Sequence, residues 1–162
     1  MTNRFIKAAL AGTVIAASFA ATGAQAATAT ATAKAQILRQ ITVAKTSDLD
    51  FGTIVTGAAA STVIVSPAGA RTCGVGLVCT NAVTAAGFGI VGTTGSVVTL
   101  ASDASVTLNS GANSMTAALL TSAATRTLTG VDSFTVGGTL AVGANQADGA
   151  YSGTFTVTVN YQ

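Results

Sequence analysis

Few side chains in this 162-residue sequence could act as acids, bases or metal ligands. There is no His, no Glu and no Trp, and five scattered Asp and two Cys supply all the acidic and thiol groups. Such a set leaves few ways to build a general acid–base pair or a metal site. We therefore expect no enzyme activity, no catalytic residue, no metal site and no cofactor.

Asp48 and Asp50 are the two carboxylates nearest to each other in the sequence. As residues i and i+2 they would point to the same side of a strand, where they could form an acid pair or hold Ca²⁺ weakly. The alternative is that they bond to nearby backbone N–H groups and cap the turn before Phe51-Gly52. We favour the turn cap.

One glycine string matches a nucleotide-binding pattern. Residues 87–92, Gly-Phe-Gly-Ile-Val-Gly, fit G-x-G-x-x-G. A dinucleotide site needs that string to end a strand and open a helix, whereas residues 93–100 here read as a turn and a strand. The glycines are better explained as strand ends, bulges or positions of close packing.

The first 26 residues have the parts of a secretory signal peptide. Arg4 and Lys7 form a basic start, residues 8–21 are apolar, and an A-x-A cleavage site ends at Ala26. A retained transmembrane anchor is the alternative, but the apolar run falls short of the roughly 20 residues that a span needs. We expect cleavage after Ala26 and secretion.

Removal of the signal peptide changes the charge. The formal charge of +2 belongs to the whole sequence and includes two basic residues of the signal, so the mature chain is neutral. Its few charges are spread along the chain and form no basic patch of the kind that binds polyanions. We expect no nucleic acid partner.

The two cysteines, Cys73 and Cys79, are close in the sequence. In the oxidising space that a signal peptide implies, a disulfide is the default, and free thiols or a metal-binding pair are the alternatives. The Cα atoms of a disulfide lie within about 6 Å, so the chain must double back between them. Gly74 and Gly76 permit that turn.

The mature sequence predicts many short strands and no convincing amphipathic helix. Strand-like runs begin with residues 37–45 and recur at about ten-residue spacing, which is typical of an all-β sandwich. Residues 115–124 are rich in Ala and Leu and could form one short helix, although the Thr and Ser around them favour a strand.

Apolar or small residues alternate with polar residues at both ends of the mature chain. At the C-terminal end, residues 149–162 have the period-2 pattern of a half-buried strand, which must be held on both edges if it is not to fray. At the N-terminal end, residues 27–35 alternate Ala with polar residues, but Ala buries too little surface to hold a lone strand. We expect this segment to be disordered alone and to form a strand in a groove; a simple spacer is the alternative.

These features together resemble the subunits of chaperone/usher pili. Three features match the assembly motif of that family: the C-terminal alternation, Gly149 at the fourteenth position from the end, and Tyr161 at the penultimate position. The D-L-D-F-G string at 48–52 also resembles a segment that follows the first strand in that family. The cysteine spacing and the Ala-only N-terminal positions depart from the commonest pilins. They suggest a divergent branch, similar to proteobacterial secreted β-domain families without assigned function.

The resemblance implies a fold and three regions. The fold is an immunoglobulin-like Greek-key β-sandwich that is incomplete in the monomer and is completed by a donor strand. Residues 1–26 are then the signal peptide, 27–36 an N-terminal extension that acts as donor, and 37–162 the pilin-like domain. The implied donor residues are Ala29, Ala31, Ala33 and Ala35, or Ile37 in the last place, and the implied C-terminal assembly strand contains Gly149, Tyr151, Phe155, Val157, Val159 and Tyr161.

The same resemblance implies a function. The chain would be exported through the periplasm with the help of a periplasmic chaperone and an outer-membrane usher. It would then polymerise head to tail with copies of itself into a cell-surface fimbria, a structure associated with cell adhesion. The alternative from another class is a self-contained secreted or surface-layer β-sandwich that binds a ligand and uses its N-terminal segment as a linker.

Overall fold

The computed structural model describes residues 25–162 and divides the chain into two units, Met1–Ala35 and Gln36–Gln162. In the first unit, the described residues 25–35 are all exposed and form neither helix nor strand. The predicted signal peptide lies outside the described residues except for its last two positions. The strands all belong to the second unit.

Residues 25–162 form strands and no helix, which confirms the predicted all-β fold. Of residues 115–124, for which the sequence left a helix open, residues 115–121 lie in the nine-residue strand Asn113–Thr121 and the rest form no helix. Residues 87–91 of the glycine string lie on another strand, Ala86–Val91, which is followed by a turn and a further strand, as predicted. In chain order the strands are β1 (Thr42–Ser47), β2 (Thr53–Val55), β3 (Ser61–Val65), β4 (Arg71–Cys73), β5 (Val78–Thr80), β6 (Ala86–Val91), β7 (Val97–Ser102), β8 (Ser105–Ser110), β9 (Asn113–Thr121), β10 (Thr125–Thr127), β11 (Val131–Val142) and β12 (Val157–Tyr161).

Three antiparallel sheets build the sandwich. The largest is organised around β11, which pairs with β6 along Val131–Val136, with β3 along Gly138–Val142 and with β9 along Val136–Ala141. Strand β1 continues this sheet beyond β6, β4 continues it beyond β3, and β8 continues it beyond β9. The second sheet has the order β10-β7-β12, and the third is the β2-β5 pair.

Two clusters of buried side chains fill the space between the sheets. In the first core cluster, Ile90 of β6 packs in one buried group with Val98 of β7, from the opposite sheet. The second core cluster contains Val63 of β3, Leu140 of β11 and Phe51, which precedes β2. Alternation along strands such as β7 and β11 turns one face inward, and burial of that face provides the main driving force for folding. The architecture is therefore a β-sandwich.

Candidate functional site

The C-terminal strand β12 lies at the edge of its sheet. Residues Val157–Tyr161 pair with Val98–Ser102 of β7, and the described part of the chain places no strand on the other side. The apolar side chains of β12, Val157, Val159 and Tyr161, pack against the first core cluster but are only half-buried. An edge strand with an incompletely covered apolar face is a place where another strand can add.

The first strand, β1, is a second such edge. It pairs with Gly87–Val91 of β6, and residues 25–162 contribute no strand to its other side. Ile41 packs against the first core cluster. Val43 is two residues further along, on the same face by strand alternation, yet it is 38% exposed. The inward face of β1 is therefore incompletely covered, like that of β12.

The chain segments that contain these two edges, residues 39–56 and 146–161, meet along one surface, which we call the groove. The two segments come together at three places: the Tyr161 hydroxyl bonds to the Arg39 carbonyl oxygen, residues 45–48 and 153–155 line one cavity, and residues 49–56 and 146–151 line another. The residue numbers rise along one side as they fall along the other. The two sides of the groove, residues 39–56 and 146–161, therefore run antiparallel.

Hydrogen bonds close the groove at the Tyr161 end. The Tyr161 hydroxyl donates to the Arg39 carbonyl oxygen at 2.6 Å and accepts the Thr93 N–H at 2.8 Å. The Arg39 N–H in turn donates to Thr93 Oγ1 at 2.7 Å. These bonds fix the chain at the point where it enters the first strand.

A shallow cavity of about 160 Å³ lies midway along the groove. Lys45 and Ser47 of β1 line one side, Phe155 lines the other, and Ala86 and Phe88 of β6 form the floor. The Phe88 and Phe155 rings meet edge to face with their centroids 6.2 Å apart. Because its volume is only about 160 Å³, the shallow cavity suits small side chains.

A deep cavity of about 630 Å³ lies at the far end of the groove. Residues 49–56 form one wall, residues 146–151 form the other, and Leu108, Met115 and Leu140 contribute to its apolar lining. Leu49 lines both cavities, so they adjoin.

The predicted C-terminal strand is regular only over part of its length. Before β12, Ser152 exchanges two backbone hydrogen bonds with Asn109 of β8, at 2.9 and 3.1 Å. At Thr156 the chain leaves β8 for β7, and Asp103 bonds to the Thr156 backbone there. The alternation of residues 149–162 therefore spans two partner strands, which divides it into an isolated bridge and a five-residue strand.

Two glycines in this segment are required by their surroundings. Gly149 has a backbone φ of +152°, which residues with a side chain rarely adopt. A Cβ at this position would also collide with the Ser110 side chain. A Cβ at Gly153 would collide with the Thr107 carbonyl oxygen. Tyr151, the next predicted residue, lines the deep cavity and donates its hydroxyl hydrogen to the Ala147 carbonyl oxygen at 2.9 Å.

The sequence that builds both sides of this groove matches a family model described as a domain of unknown function, DUF4402, over residues 41–161. The chain belongs to the DUF4402 family. The match begins at Ile41 and ends at Tyr161, so the DUF4402 domain includes β1, β12 and both cavities, and residues 27–40 precede it. No curated protein and no solved structure matches this chain.

The DUF4402 domain contains a disulfide between Cys73 and Cys79, with the Cα atoms 6.0 Å apart, which confirms the predicted pair. It links β4 of the large sheet to β5 of the β2-β5 pair. The Arg71 guanidinium adds hydrogen bonds to the Thr80 and Asn81 carbonyl oxygens at 2.8 and 2.9 Å. Since β2 forms part of the deep-cavity wall, these links anchor that wall to the large sheet.

Asp48 and Asp50 of the DUF4402 domain have separate partners. Asp50 Oδ1 accepts the Gly52 N–H at 2.8 Å, as expected of a turn cap, and Asp48 forms an exposed ion pair with Lys45. Between residues 25 and 162, no three His, Cys, Asp or Glu side chains are grouped as they would be around a metal ion. Over the same residues, no helix has the length and apolarity of a membrane span.

Asp132 is a buried carboxylate that the sequence analysis did not single out. It lies at the start of β11 and accepts hydrogen bonds from the Thr129 N–H at 2.7 Å and from Arg126 Nε at 3.1 Å. The Thr129 N–H is the main cause that lowers the pKa of Asp132, Arg126 adds to it, and burial opposes both. Asp132 lines neither cavity and has a structural role in the turn between β10 and β11.

The predicted site residues fall into two groups. Of the C-terminal residues, Tyr151 lines the deep cavity, Phe155 lines the shallow cavity, and Val157, Val159 and Tyr161 lie on the edge strand β12. The predicted donor residues Ala29 to Ala35 lie in the other unit and are exposed. The opposite wall, residues 49–56, was not predicted as part of the site, although Leu49 and Phe51 on either side of the polar Asp50 were available as a signal.

Proposed function

We propose that this DUF4402 protein is a structural subunit of a surface pilus. In this mechanism the N-terminal extension of one copy, residues 27–36, enters the groove of a neighbouring copy as a donor strand. One observation carries the proposal: β1 and β12 are both edge strands, and the Tyr161 hydroxyl of β12 bonds to Arg39, just before β1. A strand added there would pair with the free backbone groups and cover the half-buried apolar faces.

The extension has the chemistry of a strand for this groove. Its residues 27–35 are exposed and have no regular structure of their own, so their backbone N–H and C=O groups are available for pairing. Strand alternation would place Ala29, Ala31, Ala33 and Ala35 on one face. Their methyl groups suit the shallow cavity, whose volume is only about 160 Å³.

Each copy has one extension and one groove, and this arrangement determines the kind of assembly. The donor surface and the acceptor surface differ, so the contact is heterologous and leaves an unused groove at one end of every oligomer. Copies of the chain would therefore add head to tail into a fibre. A signal peptide and a neutral edge-exposed domain fit a route through the periplasm to the cell surface.

Two further partners belong to this proposal. An unfilled groove with two strand edges promotes aggregation, so it needs protection between export and assembly. A periplasmic chaperone that lends a strand would supply that protection, and an outer-membrane usher would release the subunit into the fibre.

A self-contained secreted or surface-layer binding domain is the second candidate. The deep cavity favours it, because its volume of about 630 Å³ is typical of small-ligand sites. In that case the sandwich would be functional as a monomer and residues 27–36 would be a linker.

Electrophoresis of the exported protein distinguishes the two candidates. On a denaturing gel without boiling, a fibre subunit gives a ladder that collapses on heating, whereas a self-contained domain gives one band. Deletion of residues 27–35 should abolish the ladder while the subunit still binds its chaperone. Fibres of normal length from the deletion variant would refute the proposal.

A matched pair of substitutions adds a test of the alternation. Ala31→Asp places a charge on the face that we assign to the groove, and Thr30→Asp places the same charge on the opposite face. We expect Ala31→Asp to prevent the ladder and Thr30→Asp to preserve it. Equal effects of the two charges would contradict insertion as a strand.

A further inference from the structure

The deep cavity has a carboxylate on each of its two walls. Asp50 belongs to the wall at residues 49–56, and Asp148 belongs to the wall at residues 146–151. Both residues are exposed, and Asp148 forms no salt bridge within residues 25–162. Among the described residues that line the cavity, there is no Lys or Arg. The charged groups of the lining are therefore all negative.

Two basic side chains lie near the cavity without belonging to its lining. Lys45 is paired with Asp48, and neither of them lines the deep cavity. The Arg71 guanidinium adjoins Gly52 of the wall, but it donates its hydrogen bonds to backbone carbonyl oxygens of residues 79–81. One fixed guanidinium outside the cavity cannot balance two carboxylates inside it, so the cavity favours a cation.

The other large polar side chains of the lining use their hydrogens within the protein. The Tyr151 hydroxyl donates to the Ala147 carbonyl oxygen at 2.9 Å. The Gln146 amide donates to the Tyr151 hydroxyl at 2.8 Å and to the Ser114 carbonyl oxygen at 3.4 Å. The polar groups left for a ligand are mainly carboxylate acceptors. An ammonium group, which donates hydrogen bonds and accepts none, complements them.

The rest of the lining suits an apolar body attached to that ammonium group. Leu140 and Val142 are buried, Leu108 and Met115 are half-buried, and Val55 is 57% exposed at the cavity wall. Covering Val55 with an apolar group would be favourable. The volume of about 630 Å³ is within the range of small-ligand sites.

Both walls are held in place before any ligand binds. The disulfide and Arg71 anchor the wall at residues 49–56 to the large sheet. The Asn145 N–H, next to the wall at residues 146–151, donates to the Gly57 carbonyl oxygen at 2.9 Å and so links the two walls at one end. A preformed site loses less conformational entropy on binding.

From this charge, hydrogen-bonding capacity and lining we infer that the deep cavity binds an organic ammonium ion with an apolar body. The ammonium group lies against Asp50 and Asp148, and the Tyr151 ring, in the same lining, adds attraction for a cation. The walls lie outside the ranges of β1 and β12, so a strand paired along those two edges need not cover the site. Because the site requires no polymerisation, the inference goes beyond the proposed pilus function.

Three matched probes test the charge preference. Phenethylammonium, phenylethanol and phenylpropionate have the same phenylethyl body and carry a positive, a neutral and a negative group. Each is titrated into the mature protein at low ionic strength while the backbone amides are followed by NMR. We expect saturable shifts at residues 49–56 and 146–151 with phenethylammonium, about 5- to 10-fold weaker binding of phenylethanol, and the weakest binding with phenylpropionate. Added salt should weaken the binding of phenethylammonium.

Matched variants test the site. Asp148→Asn should weaken phenethylammonium binding about 5-fold and change phenylethanol binding less than about twofold. Asp103→Asn, which changes a carboxylate outside the lining, should leave both affinities within about twofold of the unsubstituted protein. Ala150→Trp, at an exposed lining position, should block the cavity, whereas Ala144→Trp, exposed and outside the lining, should not.

The outcomes separate this inference from the proposed function. Binding of phenylpropionate as tight as that of phenethylammonium would overturn the inference, and so would equal effects of Asp148→Asn and Asp103→Asn. Absence of saturable shifts at both walls with every probe would also overturn it. None of these results bears on the heat-sensitive ladder. Absence of the ladder would refute the pilus function and leave the ammonium site standing.

Discussion

The hydroxyl of Tyr161 donates a hydrogen bond to the carbonyl oxygen of Arg39 at 2.6 Å, across 122 residues of sequence. The same hydroxyl accepts the Thr93 N–H, so one side chain joins the chain before β1, the loop after β6 and the end of β12. This contact holds the two sides of the groove together at one end, while the two cavities separate them further along.

Tyr161→Phe should therefore lower the free energy of unfolding of the domain. The substitution keeps the ring and removes both hydrogen bonds, so we expect a loss of about 1–3 kcal/mol. Denaturant unfolding of the mature protein measures it. Thr158→Ala, on the exposed face of the same strand, is the control and should change stability by less than about 0.5 kcal/mol. Equal stabilities of Tyr161→Phe and the unsubstituted protein would show that the Arg39 contact contributes nothing.

Gly153→Ala should also destabilise the sandwich. The added Cβ would collide with the Thr107 carbonyl oxygen, so the segment before β12 must move away from β8, at a cost of about 1–3 kcal/mol. Gly89→Ala is the matched control, because a Cβ there meets its nearest atoms at 3.9 Å. Thermal unfolding should show a lower Tm for Gly153→Ala and little change for Gly89→Ala. Similar Tm values for the two variants would contradict the close approach of these segments.

Because of Asp132, the free energy of unfolding should fall as the pH becomes acidic. The Thr129 N–H and Arg126 hold the pKa of its carboxyl below the ordinary value of 3.8. The carboxylate therefore contributes stability that is fully present above the unfolded-state pKa and is lost as the pH falls through the folded-state pKa. Asp132→Asn should be less stable than the unsubstituted protein at pH 7.

The difference between these two proteins should shrink as the pH falls below about 4, where the carboxyl becomes protonated in both the folded and the unfolded state. Unfolding midpoints measured from pH 7 to pH 2 test this. Asp148→Asn is a control, since Asp148 is exposed and forms no salt bridge among the described residues. A difference for Asp132→Asn that is constant with pH would contradict a role for its charge.

The disulfide should control the rigidity of one cavity wall. Replacing Cys73 and Cys79 with Ala should cost about 2 kcal/mol, since the closed loop is short. The larger local effect is expected at Thr53–Val55, which pair with β5 and depend on its link to the large sheet. Hydrogen exchange of these amides should accelerate, while exchange of the β7 amides should not. Uniform acceleration in both strands would indicate a global effect instead of loosening of the wall.

The local pattern of the sequence predicted most of the local structure. Alternation and the absence of amphipathic helices indicated an all-β sandwich, the Thr and Ser around residues 115–121 favoured the strand that forms there, and Cys73 and Cys79 form the expected disulfide. Such features depend on the alternation of side chains along a strand and on short separations along the chain, and both can be read directly from a sequence. The proposed pilus function, its partners and its donor residues remain predictions.

The sequence did not predict which distant segments of the chain pair with each other. Alternation shows which side chains of residues 149–162 share a face, but backbone N–H and C=O groups are the same in every residue and do not specify a neighbour. Only the tertiary structure placed β12 and β1 as edges of one groove, divided the C-terminal alternation between β8 and β7, and set residues 49–56 opposite residues 146–151. The sequence by itself determined the fold class and the inward faces of the strands; the packing of the whole domain determined which edges were left unpaired.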